Sequence, residues 1–145
     1  MERGDPASIL RLAKIVSPGM ALLRQWMLDL SAGKSIRAFR DMVMAPTPVM
    51  LVAEAIERLL TESQSGIFQL TGPRDIAYSE IADYLARKVT ADPALIERVS
   101  AYSANLPEGS TAPNTTLDSS VLRERFGIVV PDASAVIDDL AETCR

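Results

Sequence analysis

Apolar and polar positions follow two different periods along this chain, and each change of period marks an element. From Ser8 to Val16, SILRLAKIV is a nearly continuous apolar run, which predicts a buried strand. Such a strand needs neighbours on both sides, an unusual demand so near the start. Ser17–Pro18 then predicts a capped helix with Leu22, Leu23, Trp26, Met27 and Leu30 on its inner face, ended by Gly33. Trp26 reads as a core anchor. Ile36 to Phe39 predicts a short strand with Asp41 at its end, followed by the flexible apolar Met42, Val43 and Met44. The chain should turn at Ala45–Pro46–Thr47–Pro48, with Thr47 as helix N-cap and Pro48 in the first helical position, where no N–H is needed. Val49, Val52, Ala53, Ile56, Leu59 and Leu60 then recur at helical spacing, with Glu54, Glu57 and Arg58 outward.

The second half is read the same way. Ser63 to Gly66 is a loop, Ile67 to Thr71 a short strand, and Gly72–Pro73 breaks it. A helix is predicted over Tyr78 to Val89, with Tyr78, Ile81, Ala82, Leu85 and Val89 inward. Asp92–Pro93 begins a single turn, and Arg98 to Tyr102 suggests one further strand. The polar, Pro/Gly-rich stretch 103–116 predicts an extended, partly mobile loop. Asp118 suits an N-cap, with Leu117 and Leu122 as a hydrophobic staple, and that helix ends at Gly127. Asp132 caps a last helix whose apolar stripe is Ala133, Val136, Ile137, Leu140, Ala141 and Cys144. The predicted class is therefore α/β: a small sheet of three or four short strands packed with about five helices. One domain over 8–145 follows a polar lead-in, 1–7.

Composition narrows the chemistry. With 145 residues and 48% hydrophobic content there is enough chain for a real core. The net charge of −4 comes without any Lys/Arg cluster, which argues against nucleic acid and anionic membranes as partners. No apolar run approaches the ~18 residues a membrane span needs, and no signal-peptide pattern opens the chain. A single cysteine fits a reducing cytoplasm, and its place on an apolar stripe suits a packed thiol better than a nucleophile. The absence of histidine removes Ser-His-Asp and Cys-His catalysis and His-ligated metals from the options. The acidic residues are scattered along helix faces, so no metal site is expected. The seven glycines fit neither a dinucleotide fingerprint nor a phosphate-binding loop, so no cofactor site is expected either.

Two constellations could carry chemistry. Tyr84 and Lys88 match Tyr-x-x-x-Lys, the pattern by which a lysine lowers a phenol's pKa for proton exchange with a carbonyl. Two fixed positions in five carry little information, and the pair also suits amphipathic residues covering a core edge. Asp41 with Arg37 or Arg40, at a strand end before a rigid loop, is a typical place for a ligand contact. The same residues equally make an exposed ion pair worth under ~1 kcal/mol. Arg11 has the same ambiguity, because a charge within an apolar strand needs a partner. The Ser, Thr and Asn groups between Pro107 and Thr116 suit ligand hydroxyls, and also suit an ordinary loop.

Four stretches in order carry a family resemblance: ILRLAKIVSP, IRAFRDMVMAPTPVMLVAEAI, GIFQLTGPRDIAYSEIADYLA and APNTTLDSSVLRERFG. Together they resemble the C-terminal, substrate-binding part of an extended short-chain dehydrogenase/reductase, of the dTDP-4-dehydrorhamnose reductase-like group of nucleotide-sugar reductases and epimerases. Ala112 stands where that family often has Arg before Pro113, and Gln69 where a His is frequent. The family's glycine-rich loop and its own catalytic Tyr-x-x-x-Lys fall upstream of the matched stretches, and YLARK sits in a later helix. The resemblance implies a substrate-binding part that is not catalytic alone, with no catalytic or cofactor-binding residue of its own. NADP or NAD would serve the full-length relative. It also implies a nucleotide-sugar ligand contacted by Asp41, Met42, Val43 and Pro46 on the turn, with Arg37, Trp26, Pro113 and Asn114. The alternative is a non-catalytic interaction or dimerisation module derived from that family. Ser8 to Val16 becomes a late strand of a parallel sheet lacking its partners, as in a truncated product or a separate subunit. Either an N-terminal cofactor domain or a homo-oligomer would then cover it.

Overall fold

The computed structural model describes residues 7–107 and 109–143. The apolar run near the start forms two strands, β1 (Ser8–Leu12) and β2 (Lys14–Val16). Helix α1 (Ala21–Ser31) and strands β3 (Ile36–Phe39), β4 (Val43–Met44) and β5 (Pro46–Pro48) follow. Next come α2 (Val49–Thr61), β6 (Gly66–Leu70), β7 (Ile76–Ala77) and α3 (Tyr78–Lys88). A 3-10 turn leads to β8 (Ile96–Val99), and α4 (Ser120–Phe126) and α5 (Ala133–Thr143) complete the order. In place of one small sheet there are four two-stranded ladders. Three are parallel (β1 with β6, β2 with β5, β3 with β8), and β4 pairs with β7 antiparallel.

Two cores hold these layers. In the first, α1, α3 and α5 pack around β3 and β8 through Leu23, Leu30, Ile36, Leu85 and Ile137. Leu23, Leu85 and Ile137 have no exposed surface, and burying each such side chain contributes roughly 1.5–3 kcal/mol. In the second, α2 and α4 pack on one face of the β1–β6 ladder through Val52, Leu59, Phe68, Leu70 and Leu122. Capping follows the residue chemistry. Asp132 accepts from the Ser134 N–H at 3.0 Å, and Glu80 accepts from the Ala77 N–H at 2.8 Å, each satisfying a free donor of a first turn.

Several elements differ from the sequence expectation, each for a local reason. The first strand is not buried: Ile9 is 54% and Ile15 42% exposed, because each strand is paired on one edge and bare on a face. Helix α1 starts at Ala21 rather than at Ser17–Pro18. The Met20 N–H donates to the Ser17 carbonyl, closing a turn with Gly19 at φ +77°, where a glycine is needed. Leu22 consequently points outward. Thr47 does not cap α2; it lies fully buried in β5, and Pro48 takes the cap position without a side-chain bond. The inner face of α2 is Val52, Ala55 and Leu59, so Val49, Ala53, Ile56 and Leu60 face outward. Strand β8 begins two residues before the expected Arg98, and Tyr102 starts a 3-10 turn instead. Asp118 caps from one position earlier than expected: α4 is preceded by Ser119, and Asp118 accepts from the Ser120 N–H at 2.9 Å. Cys144 lies outside the described residues.

Candidate functional site

The turn between β3 and α2 passes from the first core towards the second. Strand β3 ends at Phe39, and the Arg40 N–H still donates to the Val99 carbonyl at 3.0 Å, so Asp41 emerges beside the end of β8. One Asp41 carboxylate oxygen accepts the Ala101 N–H at 2.8 Å, and the other accepts the Ser100 hydroxyl. The Ala101 bond, then the Ser100 bond, hold this carboxyl below its ordinary range. Met42 offers its carbonyl to the Tyr78 N–H at 3.1 Å, and Val43 and Met44 pair with Ala77 and Ile76. The turn is thus built onto the N-terminus of α3. Ala45 and Pro46 are buried beneath it, and Gly72 runs so close that an added Cβ would stand 2.9 Å from the Pro46 carbonyl oxygen.

The far end of the 103–116 loop returns to the same place. The Ala45 N–H donates to the Thr115 hydroxyl at 2.7 Å, and that hydroxyl donates to Asp75 at 2.6 Å. The Thr115 N–H reaches both Asp75 oxygens, at 3.0 and 3.1 Å, and the Thr116 hydroxyl donates to Asp75 at 3.1 Å. Burial pushes the Asp75 carboxyl up, but the bonds from Thr115 and Thr116 outweigh it and leave the group below the ordinary carboxylate value. Buried Thr71 continues the stitching, its hydroxyl accepting the Leu117 N–H at 2.9 Å and its own N–H reaching the Ser119 hydroxyl at 2.9 Å. Between these anchors lies an open cleft of about 600 Å³, lined by Ala101, Tyr102, Asn105, Leu106 and Pro107, with Gly109 and Thr111. Tyr102 is 95% exposed at its edge.

The residues singled out from the sequence fall in three settings. Asp41, Met42, Val43 and Pro46 share the turn, with Met42 and Val43 half-buried. Pro113 and Asn114 are exposed on the loop immediately before the Thr115 anchor. Arg37 lies on β3 opposite Glu97 and pairs with it at 3.5 Å in an exposed contact, and Trp26 packs in the first core together with Met44. Sequence reasoning missed Asp75, Thr71 and Ser100, and had Thr115 only as one of several loop hydroxyls; their pairings span tens of residues. The local hint was the run of Ser, Thr and Asn groups between Pro107 and Thr116, which does not single out Thr115. Tyr84 and Lys88 point elsewhere. The Tyr84 phenol donates to Asp138 at 2.7 Å, and Lys88 pairs with Asp138 and, at 3.5 Å, with Glu142. The Asp138 bond raises both the phenol and the ammonium pKa, the reverse of what lets a phenol exchange a proton. Among the described residues, no three His, Cys, Asp or Glu side chains converge on a metal position, and no helix is long and apolar enough to cross a membrane.

Comparison with family models and with curated proteins finds no match. Solved structures do match. A dTDP-4-dehydrorhamnose reductase from Yersinia enterocolitica superposes with a TM-score of 0.76 at 15% identity, over 95% of this chain and 50% of that one. The Bordetella bronchiseptica enzyme WbmG, solved with NAD, gives 0.74 at 22% identity, over 95% and 43%. A dTDP-glucose 4,6-dehydratase from Bacillus anthracis, also with NAD, gives 0.74 at 12% identity, over 94% and 43%. In fold the chain resembles the C-terminal part of an extended short-chain dehydrogenase/reductase. The likeness is one of fold, and the chain spans half or less of the length of these three structures. Within this fold, the turn after β3 and the loop after β8 are the parts brought together by the two aspartates.

Proposed function

We propose that this chain is the substrate-binding part of an NAD(P)-dependent nucleotide-sugar reductase or epimerase, and that it is not catalytic alone. The observation supporting this most directly is the Asp41 to Pro46 turn, fastened to both ends of a polar loop that encloses an open cleft. The matched structures add to it: one is a dTDP-4-dehydrorhamnose reductase, one a dTDP-glucose dehydratase, and WbmG was also solved with NAD and UDP. In this reading Met42, Val43, Pro113 and Asn114 meet the sugar nucleotide. Arg37 supplies a guanidinium once its exposed pair with Glu97 opens, and Trp26 supports the turn through the shared core. The nicotinamide cofactor belongs to a separate nucleotide-binding part, and the single cysteine supports a cytoplasmic setting.

Calorimetric titration with dTDP-glucose and with NADPH tests this. The expected result is heat with the sugar nucleotide and none with NADPH. NADPH binding by this chain would overturn the assignment of the cofactor elsewhere, and silence with both dTDP-glucose and UDP-glucose would remove the substrate reading.

A second reading, a non-catalytic interaction module, rests on a different observation. The β1–β6 ladder shows Ile9 and Ile67 side by side, each 54% exposed, on the face opposite α2. Parallel ladders are ordinarily covered on both faces. In the first reading this face is covered by a domain that continues the parallel sheet, and in the second by another copy of the chain. Light scattering of the isolated chain tests the second reading: a monomer at high concentration excludes the second copy.

A further inference from the structure

The stretch from Ser100 to Thr116 is held in an uneven way. At its start, Asp41 accepts the Ala101 N–H and the Ser100 hydroxyl. At its end, Asp75 accepts the Thr115 N–H and both threonine hydroxyls, and Thr115 in turn accepts the Ala45 N–H. Between them, the hydrogen bonds of the described residues 102–107 and 109–114 are local, such as Ser103 N–H to the Ser100 carbonyl at 3.1 Å and Ser110 N–H to the Pro107 carbonyl at 3.0 Å. The two aspartates flank one ladder: Asp41 lies two residues before β4 and Asp75 immediately before β7, and β4 and β7 pair with each other. The cleft lies along the intervening segment, with Tyr102, Leu106 and Thr111 in its wall.

From this geometry we infer that the described residues 102–107 and 109–114 belong to a strap clamped at both ends, and that Asp75 and Thr115 are positioning residues for whatever ligand the cleft takes. The inference rests on the proposed sugar-nucleotide site for its functional meaning, although the clamp itself does not. Thr115 is the joint. Its hydroxyl is at once the acceptor for the Ala45 amide, which fixes the turn, and a donor to Asp75, which fixes the strap. A side chain at this position without a hydroxyl frees Ala45 from the far end of the strap, with the Asp41 end still fastened and both cores untouched. Asp75 acts through Thr115 and Thr116 and contributes no atom to the cleft lining.

The test compares the wild type with Thr115→Val, Thr115→Ser and Asp75→Asn. Amide exchange is followed by NMR, and dTDP is titrated into each protein. In Thr115→Val the Ala45 amide should exchange at least about tenfold faster, while the Leu85 amide in α3 keeps its wild-type rate. Thr115→Ser, which keeps the hydroxyl, should restore the slow rate. Asp75→Asn, which retains one acceptor oxygen, should speed exchange at Thr115 in the same way. If Thr115→Val folds poorly, this second variant carries the prediction. An Ala45 amide as slow in Thr115→Val as in wild type, or a Thr115 amide unchanged in Asp75→Asn, overturns the clamp. For the positioning role, dTDP affinity should fall at least about tenfold in Thr115→Val and recover in Thr115→Ser, and equal affinity overturns it. A wild type that fails to bind dTDP counts against the sugar-nucleotide reading and leaves the exchange result to stand by itself.

Discussion

Aspartate is the residue this molecule relies on for its polar joints. Asp41 and Asp75 fasten the loop, Asp118 and Asp132 cap helices, and Asp138 joins α3 to α5. All five are held below their ordinary value of 3.8, Asp132 furthest, first by the Arg74 guanidinium and then by Ser134. A folded-state pKa below the unfolded one gives stability that is present above the unfolded value and lost as pH falls through the folded value. Stability should therefore drop on acidification below about pH 4. With no histidine in the chain, it should stay level between about pH 5 and 8. Urea melts at about pH 7 and about pH 3 check this, and a midpoint that does not move contradicts it. At Tyr84, replacement by Phe removes one hydrogen bond to Asp138 and should cost about 0.5–1.5 kcal/mol, with ligand affinity unaltered. Lost binding in Tyr84→Phe would instead place that phenol at the ligand.

Among the elements, α2 is the most instructive. Its buried residues, Val52, Ala55 and Leu59, and its outward ones, Val49, Ala53, Ile56 and Leu60, are both spaced at three and four residues. Leu59→Ala should cost about 2–4 kcal/mol by thermal or urea melts, because it empties a place in the second core. Leu60→Glu, at a position 74% exposed, should stay within about 0.5 kcal/mol. If the two costs came out equal, the observed phase of the helix would be wrong. The same feature explains what was legible in the sequence. Helices α3 and α5 have one apolar stripe each, so their extents and inner faces could be read almost to the residue. Helix α2 has two, and periodicity cannot choose between them. Strands β4 and β7 are two residues long, too short for any period, and β5 is written in prolines that read as a helix start. The candidate turn was visible as a carboxylate at a strand end. Its tie to Thr115 was not, since nothing local in the chain relates Ala45, Asp75 and Thr115. The Gly72 position was read only as a breaker, whereas its backbone lies against Pro46. Gly72→Ala should accordingly destabilise by more than a glycine-to-alanine change on an open surface.

For the molecule as a whole, the bare face of the β1–β6 ladder and the outward stripe of α2 are surfaces that an isolated chain leaves in water. Concentration-dependent light scattering should show self-association, relieved by Ile9→Lys and Ile67→Lys together. Unchanged association in that double variant would move the contact elsewhere. The pairing pattern has a further result in time. The three parallel ladders join partners far apart along the chain: Ser8 with Gly66, Lys14 with Pro46, Ile36 with Ile96. During synthesis β1 therefore leaves the ribosome long before β6 exists, and its isoleucine and leucines wait unpaired through the making of α1 and α2. Loop closure of that length precedes any reward from the ladder, which places folding in the slow, millisecond-to-second range typical of non-local topologies. Strands β1 and β3 thus wait about equally long for their partners, 58 and 60 residues further along the chain, and both must be protected while the rest is made.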